Sequence, residues 1–253
     1  FPIVVFQPDA RARARLSDAL AADHILRPVD TWAELLRTVL TARVSACIVD
    51  IYGPRQTISL AGSVAYGAPD LAIVVYSDFS RNRLDPFELG KYGIDAVIDA
   101  GDDDPVVIRE AVARSFASAT AGAVASDLEG RFPALMVEAI RWAVENASTQ
   151  STAEALARNM GMSQAGLARE LRSLKAPPSR SLLLWGRLLH AAHLLDGGRT
   201  VESSALELGY SSGSGLHRAF HRRVGIPLGD VSTGGGLTLV LNALLESAEI
   251  KRL

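Results

Sequence analysis

Short apolar runs alternate with longer amphipathic stretches through the first 120 residues. Ile3–Phe6, Ala46–Val49, Ala72–Tyr76 and Ala96–Ile98 read as buried strands, with a weaker one near His24–Pro28. Ala10–Ala22, Trp32–Thr41, Ile58–Tyr66, Pro86–Tyr92 and Pro105–Ser118 read as the helices between and after them. Five strand–helix units in succession predict an α/β doubly wound parallel sheet of five strands, covered on both faces. In such sheets the functional groups gather at the carboxyl ends of the strands.

From about residue 133 the pattern is helical only, which predicts a second, all-α domain. Ala134–Asn146 places Leu135, Ala139, Trp142 and Ala143 on one face. Ser181–Leu195 is apolar almost all round and reads as a buried spacer, stopped by Gly197-Gly198. On either side of that spacer one pattern occurs twice. The first copy runs Ala157, Gly161, Ser163, Leu167, Arg169, Leu171; the second runs Ala205, Gly209, Ser212, Leu216, Arg218, Phe220. A small residue lets two helices cross closely, Gly takes the turn, and Ser is expected to cap the second helix. That is the pattern of a helix-turn-helix, and its duplication predicts two recognition helices, within Ser163–Leu174 and Ser212–Val224.

Two segments stand apart from this plan. Residues 121–132 are small and Gly-flanked, and read as a linker or a fraying extension of the preceding helix. Ser232–Gly236 reads as a hinge before an apolar tail, Leu237–Ile250, that docks on the chain or on a partner. The expected division is therefore 1–120, a linker at 121–132, 133–231, and a hinge and tail at 232–253.

Charge sharpens the contrast between the halves. The whole chain is 48% hydrophobic and carries a net charge of −2. Residues 1–120 hold 12 Lys+Arg against 16 Asp+Glu, whereas 151–228 hold 10 against 5. An acidic unit joined to a basic one fits a sensor attached to a DNA binder, since phosphate contacts need positive charge locally. Cys47 is the only cysteine, which excludes a disulfide framework and a Cys-rich zinc site. No apolar run approaches the ~18 residues of a membrane span, so no membrane partner is expected and a cytoplasmic location is.

The strand ends of the first domain read Gln7-Pro8-Asp9, Asp50-Ile51-Tyr52-Gly53-Pro54, Ser77-Asp78 and Asp99-Ala100-Gly101. This arrangement resembles the receiver domain of bacterial response regulators. The resemblance puts Asp50 at the phospho-acceptor position, Pro54 at the usual offset of four, and Ser77 at the switch position. It also implies an acidic pair after the first strand and a Lys after the fifth, where this chain has Gln7, Pro8 and Ala100. Mg²⁺ needs carboxylate oxygens and the transferred phosphoryl group needs positioned positive charge. Asp9 could supply a carboxylate only if the register slips by one. The expectation is a degenerate receiver, a pseudo-receiver, controlled by a protein or small-molecule signal without phosphorylation. A nucleotide-binding enzyme is a poor fit, because the first strand–helix turn contains no Gly.

The second domain resembles the DNA-binding domain of AraC/XylS-type transcription regulators. The residues that carry the likeness are Gly209-Tyr210-Ser211-Ser212, Ser214, Leu216, Arg218 and Phe220, then Gly225-Ile226-Pro227, with Arg187-Leu188 and Ala191 in the spacer. The family commonly has an Arg where Val231 stands, and Gly213 and Gly215 are weak helix formers that predict a soft second recognition helix. The resemblance implies DNA-facing positions at Gln164, Ala165, Ala168, Arg169 and Arg172, and at Gly213, Ser214, His217, Arg218 and Arg222. Ser163 and Ser212 join them at the helix starts. Arg169 and Arg218 are the candidates for bidentate contact with guanine, while Gln164, Ser212 and the helix N-termini are expected on phosphate.

The implied partner is double-stranded DNA, read in successive major grooves by a bacterial regulator. Response regulators of this type also imply a homodimer. His190, His193, His217 and His221 lack a third ligand nearby, so no metal and no cofactor is expected, and polar residues facing DNA account for them. Two other readings stay open at this level: a regulator driven by phosphorylation of Asp50, and a protein-interaction adaptor whose helix-turn-helix no longer reads DNA.

Overall fold

A computed structural model of the chain describes residues 2–42, 44–51, 61–62, 64, 68, 71–80, 89–148, 151–231 and 235–249. Most of Ile58–Tyr66 and Pro86–Tyr92, and Pro54, lie outside them. The chain divides into two compact units, one ending at Ala119 and one beginning at Thr120.

The first unit is built on a five-stranded parallel sheet in the order β2-β1-β3-β4-β5. The strands are β1 (Ile3–Phe6), β2 (Leu26–Pro28), β3 (Ala46–Val49), β4 (Ala72–Ser77) and β5 (Ala96–Asp99). Alternation of side chains sorts the central strands onto two cores. Ile3, Val5, Ile48, Val74 and Tyr76 pack with Leu16 and Leu20 of α1 (Ala10–Leu20) and with Ile108, Val112 and Phe116 of α3 (Pro105–Leu128). Val4, Phe6, Cys47, Val49, Ile73 and Val75 pack with Leu35 of α2 (Trp32–Thr41). Burial on both faces is why these strands are continuously apolar. Cys47 is fully enclosed, and burial pushes its thiol up to about 12.

The expected linker at 121–132 is not loose chain. Helix α3 continues to Leu128, and Ala121, Val124, Ala125 and Leu128 are buried in the core of the second unit. Half of the small residues that suggested a linker are alanines, which favour helix. The chain turns only afterwards, at Gly130 with φ 73°.

The second unit consists of α4 (Ala134–Glu145), α5 (Ala153–Asn159), α6 (Gln164–Ser173), α7 (Ser179–Asp196), α8 (Val201–Glu207), α9 (Gly213–Val224), α10 (Leu228–Val231) and α11 (Gly236–Glu249). The spacer α7 is buried along most of its length and packs most extensively on α4 and α11. At its crossing with α4 the backbones nearly touch. A Cβ on Gly186 would lie 2.5 Å from both the carbonyl carbon and the oxygen of Ala143. Only glycine admits that approach.

The tail is part of the same core. Val240, Leu241 and Leu244 of α11 are buried with α7, and the Asp196 carboxylate accepts the N–H groups of Gly236 and Leu237, both at 2.9 Å. Of the expected hinge, residues 232–234 lie outside those described. Gly236 is pinned, since a Cβ there would meet Val231 Cγ1 at 2.4 Å. This explains the departure at Val231. The residue is fully buried beside the tail helix, where a guanidinium would lose its water.

Replacing Gly186 by Ala forces α4 and α7 apart. We expect Gly186→Ala to lower the stability of the second unit by about 1–3 kcal/mol, read by urea unfolding followed at Trp142 and Trp185. An unchanged midpoint would mean that the crossing relaxes freely.

Candidate functional site

The carboxyl ends of the strands enclose a cleft of about 600 Å³ lined by Gln7, Asp9, Arg15, Asp50, Asp78 and Asp99, among others. The sheet brings Asp50 and Ser77 together. The Ser77 hydroxyl donates to Asp50 Oδ1 at 2.6 Å and accepts the Ile51 N–H at 3.1 Å. At the places of the acidic pair that the receiver resemblance implies stand Gln7 and Pro8, neither of which carries a carboxylate. Gln7 is buried and ties two strand ends, its Nε2 donating to the Tyr76 carbonyl at 2.9 Å while its Oε1 accepts the Asp9 N–H at 3.0 Å. Asp9 serves as the N-cap of α1. Its Oδ1 accepts the N–H groups of Ala12 and Arg11 at 2.9 and 2.7 Å, and these bonds hold its carboxyl below the usual range. Ala100 stands at the cleft wall with no charge to offer. Arg15 and the Tyr76 hydroxyl both bond Asp103; burial, then that bond, pushes the Tyr76 phenol up to about 12. Among the described residues no group of three His, Cys, Asp or Glu could hold a metal ion.

In the second unit the two helix-turn-helix copies close in the same way. Gly161 and Gly209 adopt φ of 68° and 77°, and the next residue's N–H returns to Ala157 O or Ala205 O at 2.9 Å in each. Left-handed backbone followed by this bond is a helix C-cap that strongly favours glycine. Leu167 and Leu171 face inward from α6, as do Leu216 and Phe220 from α9. The opposite faces are polar. Ser163, Gln164, Ala165, Arg169 and Arg172 are exposed on or before α6, with Ala168 half-buried. Ser214, His217, Arg218 and Arg222 are exposed on α9, with Ser212 half-buried at its start. Ala165, Arg169 and Arg172 share one helix face, as do Ser214, Arg218 and Arg222. None of these four arginines makes an ion pair among the described residues. Arg223, by contrast, stacks over the buried Trp185 ring at 5.3 Å.

The two copies differ at the start of the recognition helix. Ser163 caps α6, its Oγ accepting the Gly166 N–H at 3.1 Å. Ser212 makes no cap bond; its hydroxyl pairs with that of Ser214 at 2.9 Å. The cap of α9 comes from Glu202 on the preceding helix, whose Oε2 accepts the Gly213 N–H at 2.7 Å. Gly213 is therefore buried and not a DNA-facing position, because a Cβ there would meet that carboxylate at 2.7 Å. Its glycine serves the cap, and α9 is helical from Gly213 to Val224. Glu154 occupies the equivalent place in the first copy and pairs instead with Arg158 at 3.0 Å. One extra residue in the second turn separates the two outcomes: Gly161 precedes its Ser by two positions, Gly209 by three.

The histidines also divide. His217 and His221 are exposed, whereas His190 is buried with its Nε2 3.8 Å from Glu207 Oε1, and Arg199 holds the other Glu207 oxygen at 2.8 Å. His190 thus belongs to the interior, because α7 has little polar face to turn outward, and His193 is half-buried. Burial first, and then neighbouring His190, depresses His193 from 6.5 to about 4. The unfolded chain takes up a proton that the folded chain refuses, so this contribution to stability is complete above pH 6.5 and is lost as pH falls towards 4. Thermal midpoints measured between pH 8 and 4.5 should fall across that window, and less so in His193→Gln; parallel profiles would place the titration elsewhere.

Loss of the Glu202 cap has a local cost. Glu202→Ala should destabilise by about 1 kcal/mol and speed amide exchange at 213–215, whereas Glu154→Ala should cost about 0.3–0.5 kcal/mol. Hydrogen exchange with mass readout checks both, and equal effects at the two sites would remove the asymmetry.

Comparison with known proteins bears on the second unit. A family model described as a helix-turn-helix domain matches residues 156–233. No curated protein matches the chain. Among solved structures it is similar to NtrX from Brucella abortus in complex with ADP, at 15% identity, TM-score 0.44, over 58% of this chain and 35% of that one. The chain thus spans about a third of NtrX. It is also similar to full-length FixJ from B. japonicum, at 18% identity, TM-score 0.40, over 87% and 95% of the two chains. A response regulator from Burkholderia pseudomallei with a phosphorylated aspartic acid, calcium ion and citrate gives 19%, 0.38, 67% and 98%. No helix among the described residues is long and apolar enough to cross a membrane. The chain therefore joins a five-stranded parallel α/β sheet to a helix-turn-helix domain.

Proposed function

We propose that this chain is a sequence-specific, AraC-type DNA-binding transcription regulator, with residues 133–231 reading DNA and residues 1–120 acting as a degenerate receiver. The observation that carries the reading is the duplicated helix-turn-helix with two exposed arginines on each recognition helix that make no ion pair among the described residues. Arg169 and Arg218 are the base readers, each contact with guanine worth about 1–3 kcal/mol of discrimination. Arg172 and Arg222 neutralise phosphates, with Gln164, Ser214 and His217 as polar contacts. Ser163 and Ser212 fix register; the Ser163 oxygen accepts the cap bond, which leaves its proton for a phosphate. Ala165 and Ala168 offer methyl groups suited to thymine. The two helices enter successive major grooves of a duplex bound by a homodimer, in the cytoplasm.

Regulation without phosphorylation is supported by the strand-end cleft. Gln7 is engaged as a crosslink, Asp9 as a cap, and one Asp50 oxygen by Ser77. The signal on this reading is a protein or small molecule at the first unit.

Binding to duplexes selected from a random pool tests the proposal. The wild-type chain should enrich one sequence and lose affinity steeply with salt. Arg169→Ala and Arg218→Ala should each relax the preference at separate positions. Acetyl phosphate with Mg²⁺ should change neither mass nor affinity, and Asp50→Asn should behave as wild type. Absence of any enriched sequence would favour an adaptor, and a phosphoryl adduct lost in Asp50→Asn would make phosphorylation the switch.

A further inference from the structure

The second unit carries a cleft of about 470 Å³ that the recognition helices do not account for. Arg180 and Arg187, both from α7, line it together with Gln164, Thr152, Leu184 and Glu154. Gln164 is the first residue of α6, so the cleft opens at the start of the first recognition helix. Neither arginine has a carboxylate within ion-pair distance among the described residues, while Glu154 is neutralised by Arg158 at 3.0 Å. The Nε–H of Arg187 is enclosed and has no acceptor among the described residues, a state that is costly when it persists. Two other arginines of the second unit are held in place. Arg199 is bound to Glu207, and Arg223 stacks on Trp185.

We infer that Arg180 and Arg187 form a phosphate socket beside the first recognition helix. Its ligand is a tetrahedral, oxygen-rich anion gripped by two guanidinium groups, assisted by the positive end of α6. On the DNA-binding reading, on which this step rests, the anion is a backbone phosphate next to the groove that α6 enters. The contact would set the register from which Arg169 reads bases. The second copy differs at the corresponding place. The start of α9 already holds the Glu202 carboxylate, so an anion is admitted at one end of the tandem and resisted at the other. The duplex is thereby anchored through the first helix-turn-helix.

Fluorescence anisotropy of the full chain on labelled 30-base-pair duplexes, across a salt series, tests the socket. Arg180→Gln and Arg187→Gln should each make the log–log salt dependence shallower by about 0.9, with several-fold weaker binding of the same size on every sequence. Arg114→Gln, in the first unit, should leave the slope unchanged. Arg180 is exposed, so its variant stays informative if Arg187→Gln unfolds, which circular dichroism reports. A parallel calorimetric titration with inorganic phosphate, against chloride of matched ionic strength, separates the sources. Saturable phosphate binding lost in both variants, with unchanged DNA slopes, would keep the socket and assign it to a free phosphate. Unchanged slopes together with no phosphate binding would overturn it. Failure of the wild-type chain to bind any duplex would sink the DNA reading alone, and the phosphate titration would still decide the socket.

Discussion

Where α7 passes α4, one helix has no side chain at all, and that absence organises the second unit. Gly186 lets α7 lie against the backbone of Ala143. The flanking residues Trp185 and Leu182 then become fully enclosed, and α7 can present its remaining faces to α5, α6, α8, α10 and α11. A Leu or Ala at that point would widen the spacing, and the apolar residues around it would lose contact as a group. The two helix-turn-helix copies take their positions from this helix. Their polar faces are therefore products of a packing contact on neither of them.

The copies are alike in their turns and unlike in their caps, and the difference is electrostatic. Ser163 satisfies α6 with a neutral oxygen, while Glu202 satisfies α9 with a carboxylate. Each choice fills an orphan donor of the helix end equally well. Only one of them leaves the positive end of the helix dipole open to another anion. A duplicated motif thus carries two surfaces of different affinity for negative charge.

How much of this was legible in the chain depends on how local the cause is. The strands could be read because burial on both faces removes polar residues from them, and the turns because glycine at Gly161 and Gly209 follows from backbone geometry alone. The segment 121–132 stayed open between a linker and an extension of the preceding helix because small residues suit both, and only the burial of Ala121, Val124 and Leu128 along α3 decides for the helix. The tail, Val231 and the Glu202 cap depend on residues 5 to 40 positions away. A pattern read in windows of a dozen residues cannot hold the 40-residue pair, and for the shorter ones it does not show which side chains meet. The repeat of Thr-x-Glu at Thr152 and Thr200 was the one available hint, and the extra residue in the second turn was its key. At the strand ends, Gln7 and Asp50 stood where expected, but their hydrogen bonds required the sheet.

The bond from Asp196 to the start of α11 joins residues 40 apart and closes the core from the far end. Contacts of that span form late, since the intervening chain must first be ordered. During synthesis, α7 emerges from the ribosome with a wide apolar face uncovered, and stays so until residue 244 has followed it. A nascent chain paused between α7 and α11 therefore exposes apolar surface that the finished fold encloses.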